Sequence, residues 1–348
     1  MTPAQGIAVP PPAAQVITFS DPEAYALATV NLAGGAAAPR FVGAIGGTFH
    51  AKIARVGLDR LGLGLGRASV PVSFTAGIPN SHVFVFATEP AAARRISGWT
   101  VDRQYIFHHR PNEQAFATSP SGQPWPYAAV VAPFDLMAVQ GPDVTGLDPK
   151  VPLNDDRLFH APKAALARLV SLTRDAARIA EESPWIIASP ESVKALAGTI
   201  TEALLVCLTQ GQAGRDRAAL RRHRQIVTRF EQMMRERPAE MLSMPDICAA
   251  LGVARRTLNL ACLEFFGQGA TQYARARRLD HVRETLLNAD PGTTQVTRVA
   301  LGYGFWELGR FAQAYRRRFG ERPSDTLHHN RVRSHRRSEL GAFHAQIA

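Results

Sequence analysis

Two stretches of this chain set arginine and carboxamide side chains at helical spacing: Arg255, Arg256 and Asn259 in the first, Arg310, Gln313 and Arg317 in the second. These residue types suit the edges of DNA bases, because arginine can bond guanine O6 and N7 together and asparagine or glutamine can bond adenine N6 and N7. In the second stretch Leu308, Phe311, Tyr315 and Phe319 recur at three- and four-residue steps. They are expected to form a core face, which leaves Trp306, Glu307, Arg310, Gln313 and Arg317 looking outward. In the first, Leu258, Cys262 and Phe265 look inward. Arg255, Arg316, Arg317 and Arg318 are candidates for phosphate contact, which positions a protein on a duplex without reading its sequence.

Catalytic and metal chemistry find less support. His50, His82, His108 and His109 are scattered, and the adjacent pair His108 and His109 would point to opposite faces of a strand. Cys207, Cys248 and Cys262 show neither a CxxC nor a Cys/His ligand spacing, which excludes a zinc finger and a disulfide framework and fits a reducing compartment. The carboxylates Asp102, Glu113 and Asp135 are isolated in sequence. No catalytic residue, metal or cofactor is therefore expected. An enzyme with an appended nucleic-acid module is the alternative from another class, and a cleft with convergent, perturbed carboxylates or histidines would favour it.

The elements that position the two outward faces share one grammar. Ile247, Cys248, Gly252 and Val253 are matched by Val299, Ala300, Gly304 and Phe305, each offset by 52 residues. A small residue where two helices cross, a glycine four positions later for the turn, and an apolar plug after it describe a helix-turn-helix. Ser243 with Asp246 three residues on reads as a capping box at the entry of the first unit. Between the units, residues 271–287 read as an amphipathic helix with Tyr273, Ala276, Leu279, Val282 and Leu286 on one side. Asp290-Pro291-Gly292 ends it, and the helix would hold the units at the separation of successive major-groove segments.

Charge separates this half from the rest. The formal net charge of +11 divides into 18 Lys/Arg against 17 Asp/Glu over residues 1–217 and 22 against 12 over residues 218–348, or +1 and +10. A polyanion partner for the second half alone is the implication. Residues 40–131 read instead as short strands between turns, including 48–53, 81–86, 104–107 and the run 58–66, where leucines alternate with glycines whose face meets backbone closely. Two apolar helical stripes follow, Leu166 to Ala180 and Val193 to Leu208. They could cover the β-rich region or form a dimer seam as well. The N-terminus shows no basic segment followed by an apolar one, and no apolar run reaches the roughly 20 residues that span a bilayer, so a cytoplasmic protein without membrane contact is expected.

Residues from about 220 to 327 resemble the two-module DNA-binding domain of the AraC/XylS family of bacterial transcription regulators. The resemblance is carried by Leu242-Ser243-Met244 through Gly252-Val253-Ala254-Arg255-Arg256-Thr257-Leu258, then by Gly304-Phe305, Phe311, Tyr315 to Gly320 and Pro323-Ser324. It implies base-facing places at Arg256, Asn259 and Leu260, then at Leu308, Gly309, Arg310 and Gln313. Leu260 stands where arginine is usual, and it could read a thymine methyl group by apolar contact. More loosely, the first half resembles the family's cupin-like sensor domain. That implies a small effector, a double-stranded operator, RNA polymerase and a homodimer as partners, with Phe84, Phe86, Trp99 and Phe107 as candidate effector-pocket lining.

The expected fold is α+β in two domains, a β-rich cupin-like barrel with a pair of helices and an all-α tandem helix-turn-helix domain. The boundaries are a leader at 1–39, a sensing domain at 40–160, helices at 161–210, a linker at 211–217, a DNA-binding domain at 218–330 with units near 243–266 and 294–319, and a basic tail at 331–348.

Overall fold

The computed structural model describes residues 14–31, 40–44, 48–78, 81–90, 93–118, 123–133, 156–210, 212–215, 218–236 and 242–328. The basic tail, much of the leader and Asp135 lie outside them. The chain divides into two compact units, with the main break between Arg224 and Gln225 and with the short segment Glu264–Gly267 grouped with the first.

The first unit carries thirteen described strands in two antiparallel sheets. The larger has eight strands in the order β1 (Ala14–Phe19), β3 (Ala51–Leu58), β4 (Leu61–Ala68), β11 (Tyr127–Pro133), β6 (Ser81–Ala87), β9 (Tyr105–His109), β12 (Asp156–His160) and β13 (Gln212–Arg215). The smaller has five, β2 (Arg40–Ala44), β5 (Val72–Ile78), β10 (Glu113–Thr118), β7 (Arg94–Ile96) and β8 (Trp99–Val101).

Neither sheet closes on itself, which corrects the expected barrel. The larger ends in β1 and β13, the smaller in β2 and β8, and among the described residues no pairing joins the ends. Alternation of inward residues is the same in an open sheet and a barrel. What differs is what covers the second face, and here helices do.

Alternation sorts the large sheet between two cores. Phe84 and Phe86 of β6, Ala128, Val130 and Ala132 of β11, and Phe159 of β12 pack with helices α2 (Lys163–Glu182) and α4 (Pro190–Thr209) through Leu169, Ala176, Ile200, Leu204 and Leu208. The residues between them, Val83, Ala129, Val131 and Leu158, pack toward the smaller sheet with Val72, Ile96 and Ala115, and with Tyr25 of α1 (Pro22–Asn31). The short helix α3 (Pro184–Ile187) turns the chain between α2 and α4. Among the described residues α4 is long and apolar enough to cross a membrane by length and composition, and its apolar side lies on the sheet. Both helical stripes are thus used in covering the strands.

Two local readings change. The run 58–66 is a hairpin rather than one strand, with Asp59 at φ 53° between β3 and β4. Its glycine face does meet a neighbour closely, since a Cβ on Gly66 would collide with the Tyr127 ring. The segment expected as a linker contains β13, paired with β12, and the break between the units falls further on, inside helix α5 (Ala218–Glu236).

The second unit is helical: the rest of α5, then α6 (Met244–Leu251), α7 (Arg255–Phe266), α8 (Ala270–Asn288), α9 (Val296–Gly302) and α10 (Leu308–Phe319), with a final helical turn at 323–328.

Candidate nucleic-acid interface

Both helix-turn-helix corners are built by one hydrogen-bond pattern. After α6, Val253 N donates to Cys248 O at 3.1 Å and Gly252 N to Ala249 O at 3.1 Å; after α9, Phe305 N donates to Ala300 O at 3.0 Å and Gly304 N to Leu301 O at 3.0 Å. This is the Schellman arrangement, and it needs a left-handed residue. Gly252 at φ 66° and Gly304 at φ 79° supply it. The 52-residue repeat in the sequence is therefore the repeat of a turn. Ile247, Leu258, Ala300, Phe305, Phe311 and Tyr315 are buried, while Cys248, Val253 and Val299 are half-buried. Ser243 and Asp246 form the expected capping box, with Ser243 N donating to Asp246 Oδ2 at 3.1 Å and Asp246 N to Ser243 Oγ at 3.3 Å. The Ser243 hydroxyl, which donates to Asp246 Oδ2 at 2.6 Å, and then Ser243 N hold the Asp246 carboxyl below its ordinary pKa.

The outward faces hold most of the residues expected there. Arg255, Arg256, Asn259 and Leu260 are exposed on α7, and Arg310, Gln313, Arg316 and Arg317 on α10. Three placements differ from expectation. Arg318 turns inward: its Nε and Nη2 donate to Asp280 Oδ1 and Oδ2 at 2.7 and 2.9 Å, which ties α10 to α8 and withdraws it from a phosphate. Leu308 belongs to no core and is 38 % exposed, because it opens α10 before the helix reaches its packing partners. Asn259 Oδ1 accepts a hydrogen bond from Ala270 N at 3.2 Å at the start of α8, so its carboxamide oxygen is already engaged. A Cβ on Gly269 would stand 2.7 Å from that oxygen.

Beneath these faces lies a polar spine that composition does not announce. Arg277 on α8 is buried with Glu231 of α5 at 3.2 Å and Asp280 at 2.9 Å, and the Tyr273 hydroxyl donates to Glu231. Burial lowers the Arg277 pKa, but the Glu231 and Asp280 carboxylates outweigh it and keep the guanidinium charged. Asp280 then passes to Arg318, so α5, α8 and α10 are joined by one run of ion pairs. The Tyr315 hydroxyl bonds Thr326 Oγ1 at 2.9 Å, fastening the closing turn behind α10. Arg310 carries an exposed ion pair with Glu307 at 2.8 Å, a contact weak enough to be surrendered to DNA.

In the first unit Phe84, Phe86 and Phe107 are fully buried and Trp99 is half-buried beside the second core. None lines the open groove of about 720 Å³ beside α2. Phe19, Tyr127 and Ala177 contribute apolar surface to that groove, and its charges include Arg178 and the ion pairs Lys52–Glu181 and Arg67–Glu89. His82 Nδ1 and His108 Nε2 lie 2.8 Å apart and buried, and burial lowers the His82 pKa. For Glu113, burial would raise the carboxyl, but His109 and Arg157 outweigh it and hold it down at about 2. Asp102 accepts Gln104 N in a turn at 2.8 Å. Among the described residues no group of three or more His, Cys, Asp or Glu is placed to hold a metal.

Two turns of one kind, each presenting a cationic helix from a basic unit, define a tandem helix-turn-helix domain. A helix-turn-helix domain model matches residues 247–329. The chain is 37 % identical over 99 residues to the XylDLEGF operon transcriptional activator 2 of Pseudomonas putida, covering 28 % of this chain and 63 % of that one. It is 33 % identical over 86 residues to a probable thc operon regulatory protein of Rhodococcus erythropolis, covering 25 % of this chain and 26 % of that one. A solved probable AraC family transcriptional regulator from Rhodopseudomonas palustris matches at 32 % identity and a TM-score of 0.28 over 30 % of this chain and 97 % of its own. The chain belongs to the AraC/XylS family through its C-terminal helix-turn-helix domain. The chain spans less than two thirds of the length of these two curated relatives, which are named as regulators rather than enzymes.

Proposed function

We propose that the chain is a sequence-specific transcription regulator that binds operator DNA through both helix-turn-helix modules and answers to a small effector held by its first unit. The observation that carries the reading is the repeated turn, because two alike corners present two exposed, arginine-bearing helices from the half with almost all the net charge. Pre-oriented helices of that kind serve base readout more than bare phosphate contact. A homodimer on paired half-sites, contact with RNA polymerase and a cytoplasmic location belong to the same reading.

The effector half is supported by the groove beside α2, whose apolar floor and rim of paired charges suit a small molecule with apolar and polar parts. The enzyme alternative lacks comparable support: the Glu113 carboxylate is taken up by Arg157, and Asp102 serves a turn.

The test uses the full-length protein and a random-sequence duplex pool. Recovered duplexes are expected to converge on one site whose affinity falls steeply with salt as counterions are released. A pool that enriches nothing overturns the reading. Ala177→Trp, which fills the groove, is expected to remove the response to active metabolite fractions and leave DNA affinity unchanged. An unchanged response would place the effector elsewhere.

A further inference from the structure

The outer face of α7 is not the polar reading surface its relatives in the second module provide. From Arg255 to Leu263 it carries two arginines and no carboxylate, so it suits a polyanion. Yet its large outward side chains after Arg256 are Leu260 and Leu263, 48 % and 42 % exposed. Asn259, the carboxamide suited to adenine, has its oxygen bonded to Ala270 N, which ties the carboxamide to the start of α8 and leaves it one lone pair for a base. On a helical wheel Leu263 and Leu260 fall on either side of Arg256, within 40° of it, opposite the buried Leu258 and Phe265.

We infer that the first module reads thymine 5-methyl groups through Leu260 and Leu263, with Arg256 between them supplying the polar contact. The inference rests on the DNA-binding role proposed above. The thymine methyl group is the one apolar group that a base pair presents in the major groove. Two branched side chains flanked by arginines can cover such methyl groups while the arginines hold the backbone, and a cationic surround disfavours a second copy of the same face.

The experiment takes the duplex recovered from the random pool and replaces each thymine in turn by uracil, which keeps every hydrogen-bonding group and removes the methyl. For the full-length protein, one to three positions grouped at one end of the site are expected to lose about fourfold in affinity each, the size of one buried methyl group, with the salt slope unchanged. Leu260→Ala and Leu263→Ala, both exposed changes that favour a helix, are each expected to erase the uracil penalty at one of those positions and keep the others.

Indifference of the native protein to uracil throughout overturns the inference while leaving DNA recognition intact. So does a uracil penalty that persists in both alanine variants. Loss of self-association in those variants, with no change in uracil sensitivity, would assign the leucines to a protein contact. A pool without enrichment removes the DNA-binding reading itself, and this inference falls with it.

Discussion

The two helix-turn-helix modules share a corner and differ in nearly everything attached to it. Both turns use a left-handed glycine and the same pair of backbone bonds, and both recognition helices run 12 residues. The first helix of the first module is capped by Ser243 and Asp246, whereas Gln295 at the matching place makes no side-chain capping bond. The outer face of α7 is apolar around Arg256; that of α10 is arginine and glutamine around Gly309. A backbone device can thus be held constant while the chemistry it displays drifts, because the turn depends on one glycine and one plug and the display depends on residues that touch neither.

The comparison assumes that the modules are fixed to one frame, and the strongest disturbance should come from that frame. Glu231→Gln leaves the buried Arg277 with one carboxylate fewer, and removing a partner from a buried ion pair costs about 3–5 kcal/mol. Thermal or urea unfolding is expected to show that loss, with DNA binding reduced in both modules together. A change under 1 kcal/mol would mean that the spine holds nothing.

Next in size is the second reading face. Arg310→Ala is expected to cost roughly 1–3 kcal/mol against the enriched site and little against scrambled DNA, whereas Arg317→Ala should weaken both alike and flatten the salt slope by about one phosphate. Titrations at two salt concentrations separate them. Equal losses for Arg310→Ala on both duplexes would make it a phosphate contact.

The shared corner predicts shared costs. Alanine at Gly252 or Gly304 forces a Cβ into left-handed backbone, about 1–2 kcal/mol at each, and the two unfolding measurements should agree. Nothing crowds Gly252 within 4 Å, so its cost is conformational, and a much larger value at one position would show that the turns are not equivalent.

The smallest effects lie at the entries. Ser243→Ala should lose about 1 kcal/mol, and Gln295→Ser, at a residue already in extended backbone, should gain a similar amount. Because the folded Asp246 pKa is depressed, its share of the first cap is present above the ordinary aspartate range and lost as pH falls through the folded value. Acid titration should therefore erode the first module's entry and leave the second's untouched. Equal erosion would count against the capping account.

How much of this was legible depends on whether a residue's role is set by its neighbours in sequence. The corners were, since glycine, plug and small residue lie within six positions. On α7 and α10 the outward arginines, Asn259 and Gln313 followed from period, while Leu260 came from the family resemblance. Arg318 and Arg277 did not: an arginine by type reads as solvated, and their partners Asp280 and Glu231 lie 38 and 46 residues away. Leu308 departs from its period for a related reason: its spacing fits the core, but its place at the start of α10 leaves it uncovered. In the first unit strand alternation was visible and sheet closure was not, because closure is a question of which strands meet across long connections. Phe84, Phe86 and Phe107 are aromatic in the way pocket walls are, and they are consumed by the two cores.

The common corner also makes the second unit its own parts store. Because each recognition helix leaves an equivalent turn and has the same length, the outward residues of one can be transplanted onto the other without touching the glycine, the plug or the buried face. Placing glutamine at Leu260 and arginine at Leu263, the places that Gln313 and Arg316 hold in α10, would write a second copy of the α10 alphabet on α7, and the reverse exchange would write leucines on α10. A chain of this design can acquire a new operator by rearranging letters it already owns.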